Sequence, residues 1–146
     1  MDFSTLPLLG SAELQAFATG FPVLLLHVAA TVVMLALGAM VYAWLTPWKE
    51  IALIRNGNAA AAVAFGGILM GLAIPLAASL SASSSTLEII IWGAATTVVQ
   101  LLGFRVVDML LSGLPERIRD NEISAAVLLV AAKLSIAVIL AAAVVV

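Results

Sequence analysis

Residues 123–146 read ISAAVLLVAAKLSIAVILAAAVVV, a run of 24 residues in which Lys133 is the single charged side chain. A helix needs about 20 mostly apolar residues to cross the roughly 30 Å hydrocarbon core of a bilayer. This segment is therefore predicted to span a membrane. Three segments of the same kind precede it, at residues 21–45, 59–81 and 87–113. The sequence predicts an all-α, polytopic membrane protein with a four-helix transmembrane domain at residues 21–146.

The composition of the whole chain supports a membrane protein. Of its 146 residues, 64% are hydrophobic and 10% are charged, whereas an ordinary globular domain carries about 25% charged residues. A soluble chain this short could not bury so much apolar surface, so the lipid bilayer is the expected partner of most of the chain. The 6 basic residues are outnumbered by 8 acidic ones, which argues against nucleic-acid binding. With no cysteine and one histidine, neither a metal site nor a cofactor is predicted.

The positive charges of the short loops predict the orientation. Lys49 and Arg55 lie between the first and second spans, and Arg117 and Arg119 lie between the third and fourth. The segment before the first span and the loop between the second and third spans contain no basic residue. Lysine and arginine concentrate on the cytoplasmic side of membrane proteins. Both termini are therefore predicted to lie outside, in a multi-pass protein.

Two segments next to the first span are predicted to lie at the membrane surface. Residues 1–20 mix apolar and polar side chains, which is typical of an interfacial segment on the outer face. On the cytoplasmic side, Thr46 can cap a short helix that has Pro47 at its first position. Trp48 then belongs at the lipid–water boundary, where tryptophan is enriched.

An internal repeat is indicated when the chain is displaced by 64 positions. Residues 53–63 then align with residues 117–127. The identical pairs include Ile54 and Ile118, Arg55 and Arg119, and Val63 and Val127. Each half would consist of a helix, a cytoplasmic loop and a second helix, which predicts two hairpins related by a parallel repeat. The polar loop residues that could bind a peripheral cytoplasmic protein are Arg55, Asn56, Asn58, Arg119 and Asp120.

Several motifs point to a known family. They are TP at 46–47, LIRNGNAA at 53–60, AFGG at 64–67, Gly71, IPL at 74–76, WGAA at 92–95 and VQLL at 99–102. With these motifs, the chain from Pro22 to its C-terminus resembles the YjfL-like bacterial inner-membrane family, catalogued as domain of unknown function 350. The resemblance implies four helices, two repeats and the bacterial inner membrane. Genes of this family often lie beside those of envelope-stress and PspA-like peripheral membrane proteins. The resemblance brings no biochemical activity, so no functional residue is carried over from it.

Polar residues inside the predicted spans form the candidate site. An ionisable group in a span costs about 2.5–3.5 kcal/mol on insertion scales, so such groups usually face protein or water. Lys133 lies near the middle of the fourth span, Asp108 lies near the cytoplasmic end of the third, and Arg105 lies between these depths. The three charged groups are predicted to meet at one level. Two cations and one anion leave one positive charge uncompensated. Either Lys133 loses its proton on burial, or an anion, water or a second subunit compensates the charge.

Two interpretations of this cluster stay open. One is a buried network that fixes helix packing, and the other is an ion or proton site on a polar pathway. Gln100, near the centre of the third span, fits either interpretation. His27, nearer the outer face in the first span, is a packing residue or a secondary relay.

Two functions are compatible with these features. The first is a homo-oligomeric inner-membrane scaffold or interaction subunit, which the family resemblance links to envelope maintenance. The second is a small oligomeric ion channel or transporter whose path is lined by Lys133, Arg105, Asp108 and Gln100. No nucleophile with its base, no phosphate-binding glycine loop and no catalytic carboxylate pair can be assembled from the sequence, so an enzyme is not predicted.

Overall fold

The computed structural model of the chain describes residues 11–47 and 49–145. Within these residues the structure is helical, and the helices are α1 (Ser11–Leu45), α2 (Glu50–Arg55), α3 (Ala59–Ala82), α4 (Thr86–Leu110), α5 (Leu114–Arg119) and α6 (Ile123–Val144). Four of them, α1, α3, α4 and α6, are long and apolar enough to cross a membrane. The predicted all-α fold with four spans is confirmed.

The first helix differs from its prediction. α1 begins at Ser11 and continues through Pro22, so residues 11–20 are part of the long helix and not a separate interfacial segment. Phe17 and Phe21 stack on one side of α1 with ring centroids 4.9 Å apart, and a pair at this spacing stabilises a helix. The remaining residues of the predicted interfacial segment, 1–10, and Trp48 lie outside the described residues.

The third span also ends earlier than predicted. α4 ends at Leu110, and the short helix α5 begins at Leu114 with Pro115 in its first turn. A proline in the first turn favours a new helix start because its missing N–H needs no helical partner there. The segment before Pro115 is therefore a turn and not the end of the span.

The centre of the bundle is the contact between α3 and α6, which is the most extensive between any two helices. Small residues line it, namely Ala60, Ala61, Ala64, Ala125 and Ala126. Small side chains allow two helix backbones to approach closely within a membrane. Further along the same contact, Gly67 faces the side chain of Val130 so closely that a β-carbon would collide with it. α4 and α1 then pack on this central pair.

Two asparagines tie the turns at one end of the bundle together; we call this the short-helix end, because α2 and α5 lie there. Asn58 caps α3 by accepting a hydrogen bond from the Ala61 N–H at 2.7 Å. Its Nδ2 donates to the carbonyls of Ile118 and Arg119 at 3.0 and 3.1 Å. In the opposite direction, the Oδ1 of Asn121 accepts from the Ala60 N–H at 3.1 Å. The two turns therefore stabilise each other.

The short helices and the turns that follow them recur at the displacement of 64 positions that the sequence alignment indicates. α2 and α5, the starts of α3 and α6, and the positive-φ residues Gly57 and Asn121 are each separated by 64 positions. Glycine and asparagine are the residues that adopt positive φ most readily.

Replacing Asn58 with alanine is expected to lower the free energy of unfolding by about 1–3 kcal/mol. The substitution removes the cap of α3, typically worth about 1 kcal/mol, and both hydrogen bonds to the other turn. Asn58→Asp keeps the accepting oxygen and loses the donated bonds, so it should be intermediate. Thermal unfolding in detergent measures the effect, with the exposed Asn56→Ala as the matched control. Equal stability of Asn58→Ala and Asn56→Ala would contradict the expectation.

Candidate functional site

Lys133 is the centre of a buried polar network. It lies ten residues into α6, about 15 Å along the helix from the short-helix end. Its side chain is 1% exposed, and its Nζ lies 2.7 Å from the Oδ1 of Asp108, whose side chain is 14% exposed. The same Nζ donates a hydrogen bond to the hydroxyl of Tyr42 at 3.2 Å. The ammonium group is thus paired inside a single subunit.

Two aromatic rings complete the surroundings of this ammonium group. Its Nζ lies 5.0 Å from the ring centroid of Tyr42 and 5.3 Å from that of Phe104. The rings meet edge to face, with centroids 6.0 Å apart. A cation within about 6 Å of an aromatic ring is stabilised electrostatically, more strongly where water is excluded. The positive charge of Lys133 is therefore compensated on several sides, by the carboxylate of Asp108, the hydroxyl of Tyr42 and the two aromatic rings.

The network reaches the short-helix end through two residues that were not predicted from the sequence. The hydroxyl of Tyr42, on α1, donates to the Oε1 of Glu50 at 3.2 Å, and Glu50 is the first residue of α2. The Oε2 of Glu50 is buried and has no hydrogen-bond partner in the described part of the chain. Burial raises the pKa of this carboxyl to about 7, with a smaller increase from Asp108, although Lys133 and the Tyr42 hydroxyl oppose the shift.

Little in the sequence pointed to Glu50 and Tyr42. Glu50 begins a six-residue helix outside the spans, where a carboxylate is ordinary. Tyr42 is the only tyrosine in the chain, and one hydroxyl near a span end is easily assigned to the membrane interface. The one available signal is the shortage of anions predicted around Lys133 and Arg105, for which a further anion is one of the possible balances.

The structure does not bring Arg105 into the hydrogen-bonded network, although its charge acts on that of Lys133. The Arg105 side chain is exposed, and it forms no hydrogen bond or ion pair with Asp108 or Lys133 in the described structure. A residue one position after Phe104 is turned by about 100° around the helix, so Arg105 leaves the buried face that Gln100 and Phe104 share. The network consequently holds one cation and two carboxyl groups, not two cations and one anion.

Gln100 is fully buried beside Lys133. Its Nε2 donates to the backbone carbonyl of Lys133 at 3.4 Å, and its Oε1 has no partner among the described residues. One helical turn away on the same face of α4, Thr96 is also buried, and its hydroxyl lies 3.4 Å from that of Ser79 on α3. Ser79, Thr96, Gln100 and Lys133 thus form a buried polar row along the bundle.

The remaining predicted residues lie away from the network or at its edge. His27 is partly exposed on α1, about 22 Å along the helix from Tyr42. Of the predicted loop residues, Arg55, Asn56 and Asp120 are exposed at the short-helix end, while Asn58 joins the two turns as described above. Arg119 lines a small cavity together with Tyr42, Glu50 and Asp108. Among residues 11–47 and 49–145, no three His, Cys, Asp or Glu side chains converge on a metal position.

Comparisons with known proteins agree with the predicted resemblance. The family model described as Domain of Unknown Function (DUF350) matches residues 16–144. The UPF0719 inner membrane proteins YjfL of Escherichia coli (strain K12) and of Escherichia coli O157:H7 are each 35% identical to the chain over 94 residues, which is 64% of this chain and 71% of each relative. No solved structure matches it. The chain, with its four membrane-spanning helices, therefore belongs to the DUF350 family and is a multi-pass inner-membrane protein.

Proposed function

We propose that this protein is a homo-oligomeric scaffold of the bacterial inner membrane that serves envelope maintenance and has no enzymatic activity. Its short-helix end faces the cytoplasm and binds a peripheral protein. The observation that carries the proposal is the sealed centre of the described bundle. Lys133 is 1% exposed, and Gln100 and Phe104 are 0% exposed. Buried polar groups in membrane bundles commonly hold helices together, and these groups line no open passage within the described structure.

The network supports a scaffold because it connects four separate helices. Tyr42, Glu50, Asp108 and Lys133 come from α1, α2, α4 and α6. An ion pair and two hydrogen bonds join them in sequence. The position of α2 at the surface is therefore tied to the packing of the spans.

The short-helix end offers a suitable surface for a protein partner. A depression beside α2 is lined by charged residues of both signs, Lys49, Glu50 and Arg55, together with Ile51 and Asn56, which combines charge with apolar contact. Such mixed surfaces with few fully apolar patches are typical of non-obligate protein interfaces. We further infer that the two halves of the chain are a parallel repeat, since the displacement of 64 positions between α2 and α5 supports it.

Oligomer formation is supported by the surroundings of Arg105. It lies five residues before the end of α4, about 7.5 Å inside the span, with an exposed side chain. Because a cation on a span is costly unless protein, water or a headgroup compensates it, we infer that a neighbouring subunit contributes to its environment.

We expect a defined homo-oligomer when the mass of the protein is measured in mild detergent and in nanodiscs. Arg105→Glu should weaken this assembly, because it reverses the charge at the inferred subunit contact. Arg55→Glu is the matched control, since Arg55 is exposed on α2 outside the spans. A monomer in several lipids would contradict oligomer formation. Equal assembly of the two variants would contradict the inferred position of the contact.

The proposed orientation predicts different labelling at the two ends of the bundle. The chain contains no cysteine, so a single introduced thiol reports its own side of the membrane. In intact cells, an impermeant thiol reagent should label Ala82→Cys, at the end of α3, and should not label Asn56→Cys before the cells are permeabilised. The reverse pattern would place the short-helix end outside and overturn the proposed orientation.

A second candidate function is ion or proton transport along the buried polar row. The specific observation that favours it is the unpartnered Oε1 of Gln100, together with the buried and unpartnered hydroxyl of Thr97, in the described bundle. Buried polar atoms without partners often mark water or ion positions. Transport would require the sealed centre to open, which makes it the less favoured function.

A further inference from the structure

In the hydrogen-bonded Lys133 network, a single ammonium group serves two carboxyl groups. Lys133 is paired with Asp108 at 2.7 Å. Glu50 is connected to Lys133 only through the hydroxyl of Tyr42, by two hydrogen bonds of 3.2 Å. If both carboxyl groups were ionised, the buried network would carry a net negative charge, and a buried charge without a partner is strongly unfavourable.

A small cavity lies between the two carboxyl-bearing residues. Glu50 and Asp108 both line it, together with Tyr42 and Arg119 and four apolar or proline side chains, Leu53, Pro115, Ile118 and Leu129. The space available to the centre of a water molecule is about 10 Å³, and about this volume is needed to hold one water. The buried Oε2 of Glu50, which lacks a partner in the described structure, is the atom that such a water would satisfy.

We propose that Glu50 is a proton-binding site that couples the aqueous phase at the short-helix end to the docking of α2 on the bundle. Hydronium transfers one proton to the Glu50 carboxylate and leaves as water, which makes the network neutral. The protonated Oε2 donates to the water in the cavity, while Oε1 still accepts from Tyr42. Loss of this proton creates a second carboxylate beside Asp108, and α2 then moves away from the network to hydrate Glu50.

Charged and titratable groups lie around Glu50 on every neighbouring element except α3. They are Tyr42 from α1, Lys49 and Arg55 from its own segment, Asp108 and Arg105 from α4, Arg119 from α5 and Lys133 from α6. Asp108 is the anion that opposes ionisation of Glu50, and Lys133 is the cation that favours it. Burial outweighs Lys133 and raises the pKa of Glu50 to about 7, so the docked form is favoured at low pH and is lost as pH rises through 7.

The direct test is an infrared titration of the full chain in nanodiscs. The wild type should show a protonated-carboxyl band that disappears with a midpoint near pH 7, and Glu50→Gln should lack this band. Glu116→Gln, which removes an exposed carboxyl on α5, is the matched control and should retain it. A midpoint at the ordinary glutamate value, or a band that persists in Glu50→Gln, would overturn the proposal.

The coupling to α2 has its own measurement. A spin label attached to Ala52→Cys, on the exposed side of α2, reports the mobility of that helix. Between pH 6 and 8 (about one unit on either side of the expected midpoint), the mobile fraction should increase by up to about tenfold in the wild type. It should stay low in Glu50→Gln, which mimics the protonated form, and should increase in Glu116→Gln. A pH-independent label in the wild type, or an unchanged increase in Glu50→Gln, would refute the coupling. Neither measurement depends on the oligomeric state or on the proposed partner.

Discussion

Asp108→Asn is expected to lower the free energy of unfolding by about 3–5 kcal/mol, because it removes the charge that compensates Lys133 inside the bundle. Asparagine keeps the size and shape of the side chain, so the loss reports the charge and not the packing. Lys133 itself is 1% exposed and cannot reach water without a rearrangement. Denaturant or thermal unfolding of the purified protein in detergent measures the effect.

Asp120→Asn is the matched control, because Asp120 is an exposed acidic residue at the same end of the bundle. Surface substitutions of this kind usually change stability by less than about 0.5 kcal/mol. Lys133→Met should cost less than Asp108→Asn, since the carboxylate that it leaves behind is 14% exposed and can be hydrated. The double variant should be more stable than the sum of the single losses predicts. An Asp108→Asn protein as stable as Asp120→Asn would argue against a network centred on this ion pair.

The same variants separate the two candidate functions. If the network is structural, ion flux into liposomes should be absent in the wild type under several ion gradients. If Lys133 lines a transport path, the wild type should conduct, and Lys133→Met should change the flux while the assembly persists. Flux and unfolding measured on one preparation therefore distinguish a helix-holding role from a conducting one.

Gly67→Ala is expected to lower the free energy of unfolding by about 1–3 kcal/mol, because it overfills the contact between α3 and α6. A β-carbon at this position would lie 2.9 Å from the Cβ of Val130 and 2.7 Å from its Cγ1. A Cβ is fixed to its backbone, so the helices themselves must separate. Small-to-large changes at such close helix contacts are costly because the backbone approach is itself the interaction.

Gly66→Ala provides the control for helix propensity. Gly66 is the neighbouring residue on α3, and a β-carbon there meets no atom within 4 Å. Alanine is the better helix former by about 1 kcal/mol, so Gly66→Ala should be neutral or stabilising. Val130→Ala should recover part of the loss in Gly67→Ala by removing two of the colliding atoms. If the two glycine variants unfolded alike, the close approach of α3 and α6 would be contradicted.

The spans were predictable because membrane insertion depends on properties of each segment alone. A continuous apolar run of sufficient length identifies a span whatever its neighbours are. The family motifs around Asn58 were similarly local. The start of α1 was not predicted, because a proline usually marks a helix beginning and here Pro22 lies well inside the helix.

The members of the buried network were harder to predict, since they depend on which helices are adjacent and how each is rotated. Lys133 and Asp108 were placed at compatible depths from their positions in the spans, and the structure has them in contact. The depth of a residue in the membrane does not show which way its side chain faces around the axis of α4. The sequence therefore places Arg105 in the same cluster, whereas its side chain is exposed. Glu50 is not predicted because its burial arises from the packing of α2 against α3 and from its contact with Tyr42, which no local pattern indicates.

The order of Asp108 and Lys133 along the chain has a consequence for biosynthesis. Synthesis proceeds from the N-terminus, so Tyr42, Glu50 and Asp108 are made before Lys133. A lysine in the middle of a lone helix resists transfer into lipid, but α6 is made after α4, when the carboxylate and hydroxyl that receive its ammonium group are already available. The chain thus places this costly lysine in a helix that is made after α4, so that its partners can assist its integration.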